Sequence, residues 1–334
     1  MEHNYSLKGN NSFGINVLAS LFAKPGTTEE LSKLMDRYDR QKSPFMVIGE
    51  GSNILFREDF QGLLLKPSMK GIEPIEEGST QVLVKVGAAE NWDNWVELAT
   101  EKGWYGLENL SLIPGSVGSA PVQNIGAYGS ELKDHMVWLE AWDLEQNQPV
   151  RLEREACSFG YRSSIFKSEA RGRYIITHVT FILNKIPELK LDYGNIQSAF
   201  REAGGSTPMD LRNLIISIRK RKLPDPEQYG NAGSFFKNPL VDRTIFKCIR
   251  ADYQDVPNYP EAGNCVKIPA AWLIEKAGWK NKRIGKVGTW PTQPLVIVNY
   301  GGATGQEILD FSEQIRDDVN RKFGICLDRE VNVV

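Results

Sequence analysis

The sequence predicts an α+β protein, and three observations carry that expectation. Apolar residues recur at helical spacing, as at Trp92, Trp95, Val96 and Ala99, which stand at i, i+3, i+4 and i+7. Short apolar runs of strand character, such as Phe45–Ile48 and Val82–Val86, are mixed with those helices along the whole chain. A long stretch from Gly103 to Gly129, rich in Gly, Ser, Pro and Asn, belongs to neither class.

Taken in order, Thr27 and Glu30 have capping-box spacing and open a helix reaching about Tyr38, with Leu31 and Leu34 on one face. Strands follow at "FMVI", "ILF", "GLLL" and "VLVKV", then the helix of Trp92 and Trp95. The stretch 103–129 is longer than an ordinary loop, so it is expected to be functional or to hold short helical turns. Strands dominate from Val137 to Leu183. Pro208 takes the first position of a helix that buries Leu211, Leu214, Ile215 and Ile218 and carries "RKRK" in its last turn. Composition changes after Pro224 and Pro226, which suggests a domain boundary. Beyond it lie a helix over 270–277 stopped by Gly278, the strand "PLVIVNY", and a helix from Thr304 to Phe323 ended by Gly324. The terminal "ICLDREVNVV" alternates like a strand.

At 334 residues the chain is long enough for two or three domains of roughly 100–200 residues each. Lys and Arg number 40 against 42 Asp and Glu, so no whole-chain charge draws it to nucleic acid or an anionic membrane. Cys157, Cys248, Cys265 and Cys326 show no C-x-x-C spacing, which argues against a disulfide frame or zinc site and fits a reducing cytoplasm. The polar N-terminus has no signal-like apolar region, and no run reaches the ~18 apolar residues of a membrane span. The expectation is a cytoplasmic monomer with no metal, nucleic-acid or membrane partner.

Two glycine loops have the donors for an anion. "GEGSN" (49–53) follows a strand and lets the backbone approach a phosphate, but Ile54 stands where a dinucleotide fingerprint needs its third glycine. An ordinary turn is the alternative. "IPGSVGSAPVQNIGAYG" sets Gly115, Gly118, Gly126 and Gly129 with Ser116 and Ser119 in one loop, a density suited to a diphosphate; tight packing is the alternative. "GSVG" is no nucleophile elbow. In "FGYRSSIF", Arg162 is either a paired surface residue or a fork for a carboxylate. "RKRK" (219–222) is a solvated helix end or a local anion site, and Glu330 sits as an acid within an apolar alternation. Ser234, in "YGNAGSFFKNP", has no histidine near it in sequence, which leaves a turn residue or a hydroxyl that gives its proton directly.

These segments resemble one family over essentially the whole chain: the UDP-N-acetylenolpyruvoylglucosamine reductases (MurB) of bacterial peptidoglycan synthesis, in their type I branch. The resemblance lies in "IGEGSNILF", "NLSLIPGSVGSAPVQNIGAYG", "FGYRSSIF", "KLPDPEQYGNAGSFFKNP", "AAWLIEKAGWK" and "REVNVV", which stand in the family's order.

The resemblance implies an FAD-binding fold of the vanillyl-alcohol-oxidase type, made of residues 1–70 with 324–334 and of residues 71–223. Residues 224–323 would form a substrate domain. Gly49, Gly51, Ser52, Asn53 and Ile54, with Pro114, Gly115, Ser116, Val117, Gly118 and Gly126, would hold non-covalent FAD. NADPH would reduce it, and UDP-N-acetylglucosamine enolpyruvate would then accept hydride at C3 from flavin N5. Ser234 would protonate C2 to give UDP-N-acetylmuramate, with Arg162 and Glu330 stabilising the enolate. Tyr193, in "KLDYGNI", would close over the substrate. Lys222 would acidify Ser234 or hold phosphate, and Asn238, Tyr259, Lys280 and Gln293 would contact substrate. The segment "NKRIGKVGTWPTQ" departs from the family pattern. Two rivals stand beside this reading. An alcohol-oxidising flavoenzyme with covalent FAD would want a histidine or cysteine near the flavin loops, and none occurs between Gly49 and Gly129. A UDP-sugar-binding protein without catalysis would have no reason to keep an acid, an arginine and a carboxylate.

Overall fold

The structure is a computed structural model and describes residues 1–40, 42–260 and 263–334, with the side chain of Pro260 left out. In chain order its elements begin β1 (Glu2–Ser6), β2 (Leu18–Ala23), α1 (Thr28–Arg37), β3 (Phe45–Val47), β4 (Ile54–Leu55), β5 (Phe60–Leu65), β6 (Ile72–Glu77), β7 (Gln81–Gly87) and α2 (Trp92–Glu101). Next come β8 (Gly126–Ala127), β9 (Ser130–Glu131), β10 (Met136–Asp143), β11 (Gln148–Glu153), β12 (Tyr174–Asn184), α3 (Ile196–Glu202) and α4 (Pro208–Lys222). The last third holds β13 (Gly230–Ser234), β14 (Leu240–Asp242), α5 (Arg243–Asp252), β15 (Tyr259–Pro260), β16 (Cys265–Lys267) and α6 (Ala270–Lys276). It closes with β17 (Arg283–Ile284), β18 (Val287–Trp290), β19 (Gln293–Asn299), α7 (Gly305–Phe323) and β20 (Asn332–Val333). The α+β expectation holds.

The chain packs as two compact units. The first comprises Met1–Tyr5, Ala19–Glu50 and Gln61–Arg219; the second comprises Ser6–Leu18, Gly51–Phe60 and Lys220–Val334. This grouping by packing cuts across the expected 1–70 segment.

In the first unit, β1-β2-β5-β3 form one sheet, in which β3 and β5 run parallel. The antiparallel strands β11-β10-β12-β7-β6 form another. α2 forms where its sequence periodicity places it, capped by the Asn91 side chain, which accepts from the N–H of Asn94 at 3.0 Å. Its Trp92 and Trp95 lie against Phe181 of β12 with ring centroids 6.0 and 5.7 Å apart. Truncating either buried indole would cost about 3–5 kcal/mol. α1 starts with half of its expected box: Thr27 accepts from Glu30 N–H, but the Glu30 carboxylate turns to the N–H of Gly26. The stretch 103–129 is folded into the short 3₁₀ turns Glu108–Leu110, Val117–Ser119 and Pro121–Gln123.

In the second unit, β13-β19-β18-β17 form a sheet and β14-β16-β15 a smaller one. α7 has the full capping box of Thr304 and Glu307 and ends at Gly324, whose φ is +66°. The terminal alternation departs from expectation. Only β20 is a strand, parallel to β4, because residues 328–330 instead bond singly across to 235–237.

Candidate functional site

Each glycine loop has a definite place. In the first unit, Gly49 lies against the 3₁₀ turn of the second loop: a Cβ there would fall 2.9 Å from Ser116 Oγ and 3.2 Å from Ser119 Cβ. A side chain there would require the two serines to shift. Gly118 is more tightly confined, a Cβ by the same construction falling 2.5 Å from the Ala88 Cβ and 3.1 Å from the Ala88 Cα. The N–H groups of Ser116, Val117 and Gly118 donate to Ser119 Oγ, Glu90 O and Ala88 O. The second loop therefore spends on its own fold much of the donor capacity read from its sequence. Among the described residues, the N–H groups of Gly49, Glu50 and Gly51 have no hydrogen-bond partner. Gly115 is buried at φ +129°.

The same unit gathers Gly126, Arg162 and Tyr193 around the end of that loop. Arg162 stands at φ +52° in a turn whose Gly160 and Ser163 exchange backbone bonds. Asn124, itself left-handed at φ +43°, donates to Gly160 O at 3.1 Å and so fixes the turn. Non-glycine residues in this conformation carry strain and gather at sites where a side chain must be aimed. The Arg162 guanidinium donates to Gly126 O at 2.5 Å. Tyr193, just before α3 and 54% exposed, packs over Gly129, where a Cβ would meet the Tyr193 Cβ at 3.3 Å. Its ring meets Tyr128 edge-on, centroids 6.1 Å apart. Arg219 donates to Leu112 O at 3.2 Å; burial and the nearby Arg162 lower its pKa, against the pull of Tyr128 and Asp93. Burial raises the phenol of Tyr128, and Arg219 beside it restrains the rise.

The second unit positions Ser234 at the end of β13, across from Val296 of β19, just after an irregularity in the pairing. Gly233 at φ +67° donates to the Asn231 side chain, and Gly230 passes so near Phe13 that a Cβ would lie 2.2 Å from its carbonyl oxygen. Small residues thus hold the backbone before the hydroxyl, while Phe235 and Phe236 anchor it from the core. The chain terminus returns beside them: Lys237 N donates to Asp328 O, and Glu330 N to Phe235 O, both at 2.8 Å. Asn53 Nδ2 donates to Glu330 O at 3.2 Å, and Asn332 donates back to Asn53 O. Phe235 (the residue after Ser234), Glu330 and Asn53, distant in sequence, are therefore linked through the backbone of Glu330, which donates to Phe235 O and accepts from the Asn53 side chain. Ile54, next to Asn53, pairs with Asn332.

Lys222 ends α4, and its carbonyl accepts from Thr292 Oγ1 at 2.8 Å, which sets it near Gln293 at the start of β19. The remaining positions are less gathered. Asn238 uses its side-chain oxygen to cap α6 at Ala270 N, 2.9 Å away. Lys280 pairs with Glu275 at 2.8 Å on the surface, and Tyr259 is 54% exposed on β15. Ser52 lies within a turn, and Pro114 just before the bend at Gly115. Among the described residues no group of three or more His, Cys, Asp and Glu is arranged to hold a metal, and no helix is long and apolar enough to cross a membrane. Sequence reading passed over Tyr128 and Asn109. An aromatic residue between glycines inside a polar loop is a signal that would have found Tyr128.

Two family descriptions match different parts of the chain. Residues 225–334 match the family described as UDP-N-acetylenolpyruvoylglucosamine reductase, C-terminal domain, and residues 19–152 match an FAD binding domain. A Bacteroides fragilis UDP-N-acetylenolpyruvoylglucosamine reductase is 43% identical over 334 residues, all of both chains. The Pseudomonas aeruginosa protein of that name is 43% identical over 335 residues, covering 100% of this chain and 98% of its own. The crystal structure of the Thermus caldophilus protein (MurB) matches with a TM-score of 0.70 at 21% identity, covering 98% of this chain and 97% of that one.

Proposed function

The chain belongs to the UDP-N-acetylenolpyruvoylglucosamine reductase family, and from that premise we propose that it reduces UDP-N-acetylglucosamine enolpyruvate to UDP-N-acetylmuramate in the cytoplasm of a bacterium, with NADPH as electron donor. It is an FAD-dependent oxidoreductase. The structural observation that carries the finer reading is the bond from Glu330 N to Phe235 O, which ties an acidic residue to the backbone beside Ser234.

The residues fit FAD. Gly118 leaves no room for a side chain and Gly49 little, and the unpartnered N–H groups of Gly49, Glu50 and Gly51 suit an anionic diphosphate. Gly51, Ser52, Asn53 and Ile54 continue that turn, and Pro114, Gly115, Ser116, Val117, Gly118 and Gly126 would line the rest. The backbone donors of Ser116–Gly118 are already spent, so Gly49–Gly51 carry the larger share. No histidine or cysteine lies between Gly49 and Gly129, which supports non-covalent binding. When bound, FAD supplies the transfer of reducing equivalents from NADPH to the enolpyruvyl group.

The chain's residues do the rest. Arg162, aimed by its left-handed backbone, holds the substrate carboxylate and the charge that spreads into it as the double bond is reduced. Ser234 gives its hydroxyl proton to C2. Glu330 stabilises the enolate from its own strap of chain. Tyr193 closes over the substrate, Lys222 acidifies Ser234 or holds phosphate, and Gln293, Asn238, Tyr259 and Lys280 contact the nucleotide sugar. In ligand terms, 1–70 with 324–334 and 71–223 bind FAD and 224–323 takes the substrate; the protein acts as a monomer.

The test is the visible spectrum of the purified protein under anaerobic conditions. Flavin bands should bleach with NADPH and return on adding the enolpyruvyl nucleotide sugar. Bleaching without recovery would overturn the substrate; a colourless protein that accepts no added FAD would overturn the whole reading.

A further inference from the structure

We infer that Tyr128, steadied by Arg219, is the positioning residue for Tyr193 and sets how readily Tyr193 closes over an anionic nucleotide-sugar substrate. The inference rests on the assignment of Tyr193 to the substrate made above.

Four observations converge on Tyr128. Its ring meets that of Tyr193 at 88°, centroids 6.1 Å apart. Such edge-to-face contacts bias ring placement by roughly two- to tenfold. Its hydroxyl has the Arg219 guanidinium beside it, and Arg219 is held in turn by its bond to Leu112 O. Its carbonyl accepts from Asn109 Nδ2 at 2.8 Å, and that same amide donates to Lys190 O at 3.0 Å. One side chain thereby links the Tyr128 turn to the segment leading into Tyr193. Lastly, Tyr128 is left-handed at φ +47° and is followed by Gly129 at φ +82°, on which the Tyr193 Cβ rests. Tyr193 itself is exposed and lies outside any helix or strand. An exposed ring on a loop has several rotamers, and Tyr128 is the fixed surface that selects among them. The phenol is needed as well as the ring, because it is the hydroxyl that interacts with Arg219.

The experiment uses the full-length holoenzyme with fluorotyrosine incorporated. The Tyr193 fluorine signal is identified by its loss in Tyr193→Phe. Without substrate, Tyr128→Leu should move that signal toward an exposed tyrosine, and Tyr128→Phe should move it less. In steady state, Tyr128→Leu should raise KM for the enolpyruvyl nucleotide sugar about tenfold while kcat falls less than about threefold, the pattern of lost binding rather than lost chemistry. In a Tyr193→Leu background, the same change should add nothing. A Tyr193 signal indifferent to both Tyr128 variants overturns the contact, and additive effects in the double variant overturn the coupling. If Tyr128→Leu does not fold, a shift in Tyr128→Phe supports the contact and its absence overturns it. If Tyr193→Leu leaves KM unchanged while the signal still answers to Tyr128, the substrate role of Tyr193 falls and the contact stands.

Discussion

The backbone N–H of Glu330 donates to the carbonyl of Phe235 at 2.8 Å, so the C-terminal segment fixes the residue that follows Ser234. A hydroxyl that must deliver a proton to one carbon needs this kind of backbone restraint more than it needs a neighbouring base. Ser234→Ala leaves the strap and the strand pairing to Val296 in place. It should preserve FAD binding and reduction by NADPH, and slow reoxidation by the enolpyruvyl substrate by at least about 10²-fold, the low end for loss of a general acid. Rapid-mixing measurements of the two half-reactions check this, and equal slowing of both would remove Ser234 from the role.

On the proposed reading Arg162 differs in kind, because its guanidinium would meet the substrate carboxylate before and during reaction. Arg162→Ala should raise KM for the enolpyruvyl sugar and lower kcat by about 10²–10³. Arg162→Lys should recover little of either, since an ammonium cannot form the planar fork that matches a carboxylate. The turn's φ of +52° is no easier for lysine than for arginine, so the backbone offers Arg162→Lys no compensation. Circular dichroism of each variant separates a local defect from unfolding.

Gly51 and Gly233 have nearly the same φ, +66° and +67°, yet should respond differently to alanine. At Gly233 a Cβ meets nothing within 4 Å, so Gly233→Ala should cost only the left-handed penalty, about 1 kcal/mol. At Gly51 a Cβ would lie 2.1 Å from the Asn10 carbonyl oxygen, a backbone atom that cannot swing aside. Gly51→Ala should cost more than about 2 kcal/mol and lower FAD retention. Denaturant unfolding and the flavin absorbance of the purified variants test the contrast.

How much of this was legible beforehand depended on whether the signal was local. The helices of Trp92, Leu211 and Thr304 were readable because periodicity and caps are local, and the structure adds only the bonds that close them. α5 was missed although Asp242 caps it and Phe246 and Ile249 lie buried on one face, so its signal was local and was there to read. The terminal strand was over-read: alternation tells which side chains face inward, but 328–330 found partners in 235–237 one bond at a time. The candidate site could be read as a set of motifs and not as an arrangement. Nothing local in "REVNVV" or "GEGSN" announces that Asn53 bonds Glu330 O, 277 residues away. Likewise, the donor-rich look of Ser116–Gly118 concealed that those N–H groups serve their own turn.

His135 gives a pH dependence that lies apart from the chemistry. It is 9% exposed, packed so closely on Gly106 that a Cβ there would fall 2.5 Å from its Cε1, and its Nε2 has no partner among the described residues. Burial, helped by Lys190 and opposed by Asp134, lowers its pKa to about 4 from an ordinary 6.5. The folded protein therefore keeps His135 neutral over a range where the unfolded chain binds a proton. The contribution to stability is intact above pH 6.5 and is lost progressively as pH falls toward about 4. Between pH 7 and pH 5 the loss from this one group is roughly 2 kcal/mol. His135→Gln, which cannot take up a proton, should be less stable at pH 7 but lose roughly 2 kcal/mol less over that interval. Urea unfolding of both proteins at the two pH values measures the difference, and parallel losses would show that His135 does not set the acid limit.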